Sequence, residues 1–172
     1  MGWANGRHAL ITGGGTGIGA ATARMFAEIG AKVTLLGRRR EPLEAVAAEF
    51  GGTVVACDIT DRDALENAIE DARAANGPLD YVILNAGIAD SAPFGRTSRE
   101  SFDRIIATNL TAVFDGAQLA LPDLLQGEDK RLVKPVTSLP VQIAQPPISD
   151  RTVLDRIAAI IEGVLARIRS TF

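Results

Sequence analysis

Short apolar runs alternate with longer amphipathic stretches over the first three quarters of the chain. The runs HALIT, KVTLL, TVVACD and LDYVILNAG are brief and flanked by glycine or polar turn residues, which is typical of buried parallel strands. Apolar residues at helical spacing predict helices over residues 18–30, 40–50, 60–75 and 98–125. This alternation predicts an α/β fold, in which a doubly wound parallel sheet is covered by helices on both faces.

Capping residues set the expected helix boundaries. Gly30 is placed to end the first helix. Thr60 and Asp63 have the spacing of a capping box at the start of the third helix. Thr97 and Glu100 have the same spacing before the long fourth helix. We therefore expect Thr60 and Thr97 to be N-caps.

The last quarter of the chain has a different pattern. Residues 134–151 carry four prolines, which predicts an extended, irregular connector after a folded domain over residues 1–133. Apolar residues in 152–172 recur at helical spacing opposite charges of mixed sign, which predicts an amphipathic helix. We expect that helix to cover the domain core or to pack against a second copy of the chain, as part of a homo-oligomer.

Composition narrows the function classes. The net charge of −3 gives no attraction to nucleic acid or an anionic membrane surface. One cysteine cannot form an intramolecular disulfide, and one histidine argues against a zinc site, so no metal is expected. The sequence has no apolar run of signal-peptide or membrane-span length, which predicts a cytoplasmic location.

The strongest motif is TGGGTGIG at residues 12–19, between the first predicted strand and helix. Glycines there let the backbone turn tightly and approach a pyrophosphate, while the helix N-terminus offers N–H groups and a positive dipole end. The context predicts a dinucleotide site. A flexible glycine loop that binds nothing is the alternative.

Several motifs in order resemble the short-chain dehydrogenase/reductase family. TGGGTGIG matches its glycine motif, CDIT at residues 57–60 its aspartate after the third strand, and LNAG at 84–87 its Asn-Asn-Ala-Gly element, with Leu84 in place of the first Asn. TNLTAVFDGAQLALPDLL at 108–125 matches the helix that carries its active-site asparagine. The resemblance covers residues 6–133 and implies a Rossmann-like fold and an oxidoreductase that acts on a carbonyl/alcohol pair.

The resemblance also implies a role for each matching residue. Asn109 would be the active-site asparagine, Ile18 would pack near the nicotinamide, Asp58 would bond the adenine, and Ile59 would line that ring. The remaining cofactor contacts would come from Thr12, Gly13, Gly15, Thr16, Gly17, Gly19, Asn85, Ala86 and Gly87. By residue type alone, Asp58 also suits a solvated turn, and Asn109 a helix kink or a local backbone bond.

Charge after the second predicted strand bears on cofactor choice. An NAD site usually places an acid there to bond the ribose 2′-hydroxyl. Here Gly37 is followed by Arg38, Arg39 and Arg40, and guanidinium groups suit the 2′-phosphate of NADP. We predict that NADP(H) is preferred, with Arg38 and Arg39 in the site. NAD(H) is the alternative, and the arginines would then be a solvated helix start.

The proton-transfer pair of the resembled family has no counterpart in these 172 residues. That family uses Tyr-x-x-x-Lys, in which the lysine lowers the pKa of the phenol. Tyr81, the only tyrosine, is followed four residues later by Asn85. Ser138 is a candidate for the family's serine, although Pro135 interrupts its strand pattern.

Two hypotheses about function follow from this departure. The chain is either an oxidoreductase of weak or no activity on an unknown small molecule, or a non-catalytic dinucleotide-binding module. The tail after residue 133 fits a truncated, deleted, frame-changed or minimal member of the family, with a fold incomplete relative to it.

Overall fold

The computed structural model describes residues 2–89, 96–126 and 130–134. The strands in these ranges are β1 (His8–Thr12), β2 (Lys32–Gly37), β3 (Thr53–Ala56), β4 (Tyr81–Ile83) and β5 (Arg131–Val133). The helices are α1 (Gly17–Glu28), α2 (Arg40–Ala47), α3 (Arg62–Asn76), α4 (Arg99–Ile106) and α5 (Ala112–Leu124), and a π-helical turn, Ala107–Thr111, joins α4 to α5. Ser138, nearly all of the Pro-rich connector and the predicted C-terminal helix lie outside the described residues.

These strands form one parallel sheet in the order β3-β2-β1-β4-β5. The chain runs outward from β1 to β3, crosses back through α3, and continues on the other side of β1 with β4 and β5. Such a reversal leaves a crevice at the carboxyl ends of the two strands where the order switches, here β1 and β4. The predicted α/β, Rossmann-like, doubly wound sheet is confirmed.

The sheet separates two apolar layers. Because neighbouring side chains of a strand point to opposite faces, Ile11 packs on the side of α1 and α2, and Leu10 on the side of α3 and α5. Phe26 and Leu65 are buried partners in these two layers. Each such side chain contributes roughly 1.5–3 kcal/mol on burial. The crevice therefore lies on a well-packed base.

The N-cap of α3 is Asp61 rather than Thr60. The Asp61 carboxylate accepts the Ala64 N–H at 3.0 Å. Thr60 does not cap the helix, because its N–H and its hydroxyl both donate to Asp58 Oδ1, at 3.0 and 2.8 Å. The expected cap was one residue too early, since Thr60 belongs to an Asx turn before the helix.

The fourth predicted helix also begins one residue later than expected and is not regular throughout. Ser98, not Thr97, is the N-cap of α4, and its hydroxyl accepts the Ser101 N–H at 3.1 Å. The π-helical turn Ala107–Thr111 then interrupts the helix at the expected position of the active-site asparagine. Such turns often occur at functional sites.

Candidate functional site

Hydrogen bonds join the loops that follow β1 and β4. Thr12 is buried at the end of β1, and its hydroxyl accepts the Ala86 N–H at 3.0 Å. The side-chain amide of Asn85 donates to the Thr12 carbonyl at 3.1 Å and lies 3.4 Å from the Gly13 carbonyl. The two motifs found in the sequence therefore meet at the crevice.

Glycine is required at two positions of the loop, Gly19 and Gly17, for different structural reasons. A Cβ on Gly19 would lie 2.2 Å from the Gly13 carbonyl oxygen and 2.6 Å from Asn85 Nδ2, so only glycine lets α1 pass this close to the loop. Gly17 has a φ of +54°, and a Cβ there would meet nothing within 4 Å. The backbone at Gly17 is thus fixed in a left-handed conformation beneath open space.

The first turn of α1 lacks both a capping side chain and an acidic residue. Its N-cap, Thr16, is extended and makes no side-chain capping bond, and the first turn contains no acidic residue. By contrast, Asp61 and Ser98 cap α3 and α4 with their side chains. The positive end of α1 is therefore available to an anion that approaches over Gly17.

A pocket of about 620 Å³ lies near the carboxyl ends of β2, β3 and β4, between the segments that follow them and the junction of α4 with the π-helical turn. It is lined by Arg38, Asp58, Thr60, Ile88, Ala89, Arg104, Ala107 and Thr108. The bonds from the Thr60 N–H and hydroxyl, together with the charge of Arg38, lower the pKa of Asp58. Asp58 is therefore a carboxylate at neutral pH and can accept a hydrogen bond from a ligand.

The other predicted cofactor residues lie around the same region but differ in exposure. Ile18 is half-buried in the first turn of α1, whereas Ile59 is only 8% exposed and packs in the layer beneath α3. Gly15 lies against the start of α2, where a Cβ would come within 3.1 Å of the Leu43 nitrogen. Arg39 is exposed as the N-cap of α2. Of the two isoleucines, Ile18 thus has the more accessible side chain.

Asn109 ties the π-helical turn to the loop after β4. Its Oδ1 accepts the Ile88 N–H at 2.9 Å, and its Nδ2 donates to the Ile88 carbonyl at 2.8 Å. A Cβ on the adjacent Gly87 would lie 3.3 Å from Asn109 Oδ1. The side chain thus makes a long-range backbone clamp instead of the local bond that its residue type also allowed.

Lys134 is a residue of this region that the sequence did not single out. It follows β5, and its ammonium donates to the backbone carbonyl of Asn109. Its position directly after the short strand Arg131–Val133 was the available signal. A cation thus lies at the carboxyl end of the sheet, next to the Asn109 clamp.

Tyr81 belongs to the core. It is 4% exposed in β4, and its ring centroid lies 5.1 Å from that of Trp3 and 5.4 Å from that of Phe26. Its burial and its ring contacts give Tyr81 a packing role in the core.

The described part of the chain lacks a metal-ligand cluster and a membrane-spanning helix. Within it, no three His, Cys, Asp or Glu side chains are grouped as metal ligands. No helix there has the length and apolar character needed to span a membrane.

The family model described as short chain dehydrogenase matches residues 7–141. The chain belongs to the short-chain dehydrogenase family. It is 32% identical over 153 residues to a gluconate 5-dehydrogenase of Gluconobacter oxydans, and this alignment covers 86% of the chain and 59% of the relative. It is 38% identical over 133 residues to a 2,5-dichloro-2,5-cyclohexadiene-1,4-diol dehydrogenase of Sphingobium indicum, covering 74% and 53%.

Solved structures agree with this assignment. A 3-ketoacyl-(acyl-carrier-protein) reductase from Brucella melitensis, complexed with NADH, aligns with a TM-score of 0.73 at 32% identity, over 76% of this chain and 57% of that one. A short-chain type dehydrogenase/reductase from Mycobacterium marinum aligns with a TM-score of 0.72 at 34% identity, over 76% and 56%. The short-chain dehydrogenase chain spans about half the length of the curated relatives it matches, 53% and 59% for the two above.

Proposed function

We propose that this chain binds a nicotinamide dinucleotide, NADP(H) in preference to NAD(H), at the carboxyl ends of β1, β2 and β4. The observation that carries the proposal is the open space over Gly17, at the uncapped N-terminus of α1. A pyrophosphate is the anion that a glycine loop at a helix N-terminus in a doubly wound sheet accommodates. In this proposal the chain is the cofactor-binding part of an oxidoreductase acting on a carbonyl/alcohol pair.

The residues around the crevice fit such a cofactor in shape and charge. The glycine loop would hold the pyrophosphate, and Asn85 to Gly87 would border the adjoining ribose. The ionised Asp58 would accept a bond from the adenine amino group. Arg38, exposed directly after β2, would bind the 2′-phosphate, with Arg39 nearby at the start of α2. A bound nicotinamide would supply a hydride donor or acceptor.

A second candidate function is a binding module without efficient turnover. Tyr81, the one phenol of the chain, is packed against Trp3 and Phe26, and the 172-residue sequence contains no Tyr-x-x-x-Lys. The Asn109 amide is likewise occupied by its clamp to Ile88. These observations favour cofactor binding over proton transfer by the described residues.

Binding and turnover are separable by two measurements on the 172-residue chain. Fluorescence titration with NADPH and NADH measures binding, with tighter binding of NADPH expected. Incubation with NADPH and a panel of aldehydes and ketones measures cofactor oxidation. Binding with turnover supports the oxidoreductase, and binding without turnover supports the binding module. Loss of both would contradict the proposed site.

A further inference from the structure

The pocket near the carboxyl ends of β2, β3 and β4 is bordered by two arginines that belong to different parts of the fold. Arg38 follows β2 and lies close enough to Asp58 to affect its pKa. Arg104 comes instead from α4, one turn before the π-helical turn, and lines the same pocket. The sequence motifs account for Arg38 and Asp58 but give Arg104 no role.

Among the described residues, the side chains that line the rest of the pocket are not planar. Its other side chains are small or aliphatic, namely Ile88, Ala89, Ala107 and Thr108 on the side of α4 and the loop after β4. None of the described lining residues carries an aromatic ring. An adenine is a flat π-system, and the planar groups that this lining offers are the guanidiniums and the Asp58 carboxylate.

The two arginines suit different parts of an adenosine. Arg38 shares the β2 side with the carboxylate of Asp58, which suits contacts at the edge of the adenine and at the ribose 2′-position. Arg104 extends from the α4 side, where the neighbouring walls are apolar. A guanidinium is planar and can lie parallel to an aromatic face, whereas an ammonium has no plane to stack and makes only a point-charge contact with the ring.

We propose that the guanidinium of Arg104 stacks on the adenine of the bound dinucleotide and covers its outer face. The inference rests on the proposed function, because it needs a dinucleotide in this pocket. It differs from a phosphate-binding role in two measurable ways. The adenine is common to NADPH and NADH, so both cofactors depend on Arg104 equally. Stacking also requires the plane of the guanidinium and not only its charge.

The test is fluorescence titration of the full chain and three variants with NADPH and NADH. Arg104→Ala is expected to lower the affinity for NADPH and for NADH by the same factor, about tenfold. Arg104→Lys keeps the positive charge but removes the planar guanidinium, and it is expected to lower both affinities nearly as much as Arg104→Ala does. The matched control is Arg99→Ala, on the same helix, whose side chain is 84% exposed and pairs with Asp103. It is expected to bind both cofactors like the parent.

Each contrary outcome has a separate meaning. A loss confined to NADPH and restored by Arg104→Lys would show a phosphate contact and overturn the stacking role. Parent-like binding by Arg104→Ala would overturn it while leaving the proposed function intact. A parent chain that binds neither cofactor would overturn the proposed function and this inference together. Thermal unfolding of each variant establishes that the compared proteins are folded.

Discussion

The hydroxyl of Thr34 donates a hydrogen bond to Nε2 of His8 across the paired strands β1 and β2, with a distance of 2.8 Å. The direction follows from the other ring nitrogen. Nδ1 lies 2.8 Å from the Gly77 carbonyl, which can only accept, so Nδ1 carries the proton. Asn76 completes the network by donating to Thr34 at 2.9 Å. Burial lowers the pKa of this imidazole, and its neutral form has both ring nitrogens hydrogen-bonded.

This arrangement predicts a loss of stability on mild acidification. Burial is the main cause that lowers the pKa of His8 from its usual 6.5. As pH falls below that value, the unfolded chain takes up a proton that the folded chain resists, so the free energy of unfolding falls. Urea unfolding at several pH values between about 7.5 and 5.5 measures how the free energy of unfolding changes with pH, in a range where the titration of carboxylates contributes little.

The control for this effect is His8→Gln, which removes the titrating group while keeping a donor and an acceptor. Its unfolding free energy is expected to vary less over the same range than that of the parent. Because His8 is the only histidine, no other imidazole contributes. Equal slopes for the two proteins would contradict the assignment.

The glycine loop gives a prediction about binding rather than stability. Gly17→Val is expected to abolish NADPH binding, because its side chain would fill the open space over α1. Gly51→Val is the matched control. Gly51 has a φ of +73° and equally open space, but it lies in the turn before β3, at the opposite end of the sheet.

Both glycine variants carry comparable backbone strain, so both are expected to lose similar stability. Titration with NADPH then separates strain from occupancy of the site. Binding by Gly17→Val as tight as that of the parent would contradict the pyrophosphate position.

Arg38 gives a prediction about cofactor preference. Arg38→Ala is expected to cost about 1.5–3 kcal/mol of binding free energy for NADPH, the range of a charge-assisted bond, and much less for NADH. Arg40→Ala is the control, because Arg40 is exposed two residues later and pairs with Glu44 at 3.4 Å. Titration of both variants with both cofactors measures the difference. An equal loss for NADPH and NADH would mean that Arg38 does not recognise the 2′-phosphate.

Asp123 gives a prediction about the packing of α5. Its carboxylate accepts from Arg73 Nε at 2.8 Å and from the Leu79 N–H at 3.1 Å, with the side chain only 13% exposed. Asp123→Ala leaves both donors unpaired and is expected to cost roughly 1–3 kcal/mol of stability. Asp103→Ala, which breaks the exposed Arg99 pair, is expected to cost less than about 1 kcal/mol. Similar losses in urea unfolding would contradict a special role for Asp123.

Local chemistry in the sequence was enough to predict the strand–helix alternation and the place of the glycine loop. It was not enough to choose between adjacent capping residues. Thr60 and Asp61 are both good cap types, as are Thr97 and Ser98, and the choice depends on which N–H each oxygen reaches. The preference of these residue types for the N-cap therefore could not fix the helix start to better than one residue.

The clamp at Asn109 was beyond sequence reasoning for a different reason. Its partner, Ile88, is 21 residues away, and the apolar spacing from residue 98 to 125 predicts one continuous helix. The π-helical turn and the contact from Lys134 follow from how β4, β5 and the helix meet in space. Tertiary contacts of this kind have no signature in the spacing of apolar residues.

The π-helical turn also determines which side chains the two ends of this helix present together. A π turn holds more residues than a regular turn, and each residue of an α-helix adds about 100° of rotation. Deleting one residue within 107–111 would rotate α4 by about that angle relative to α5. Asn109 and Arg104 could then no longer face the loop and the pocket at the same time. The rotation that the π-helical turn sets between α4 and α5 thus determines both that Asn109 reaches the loop after β4 and that Arg104 lines the pocket.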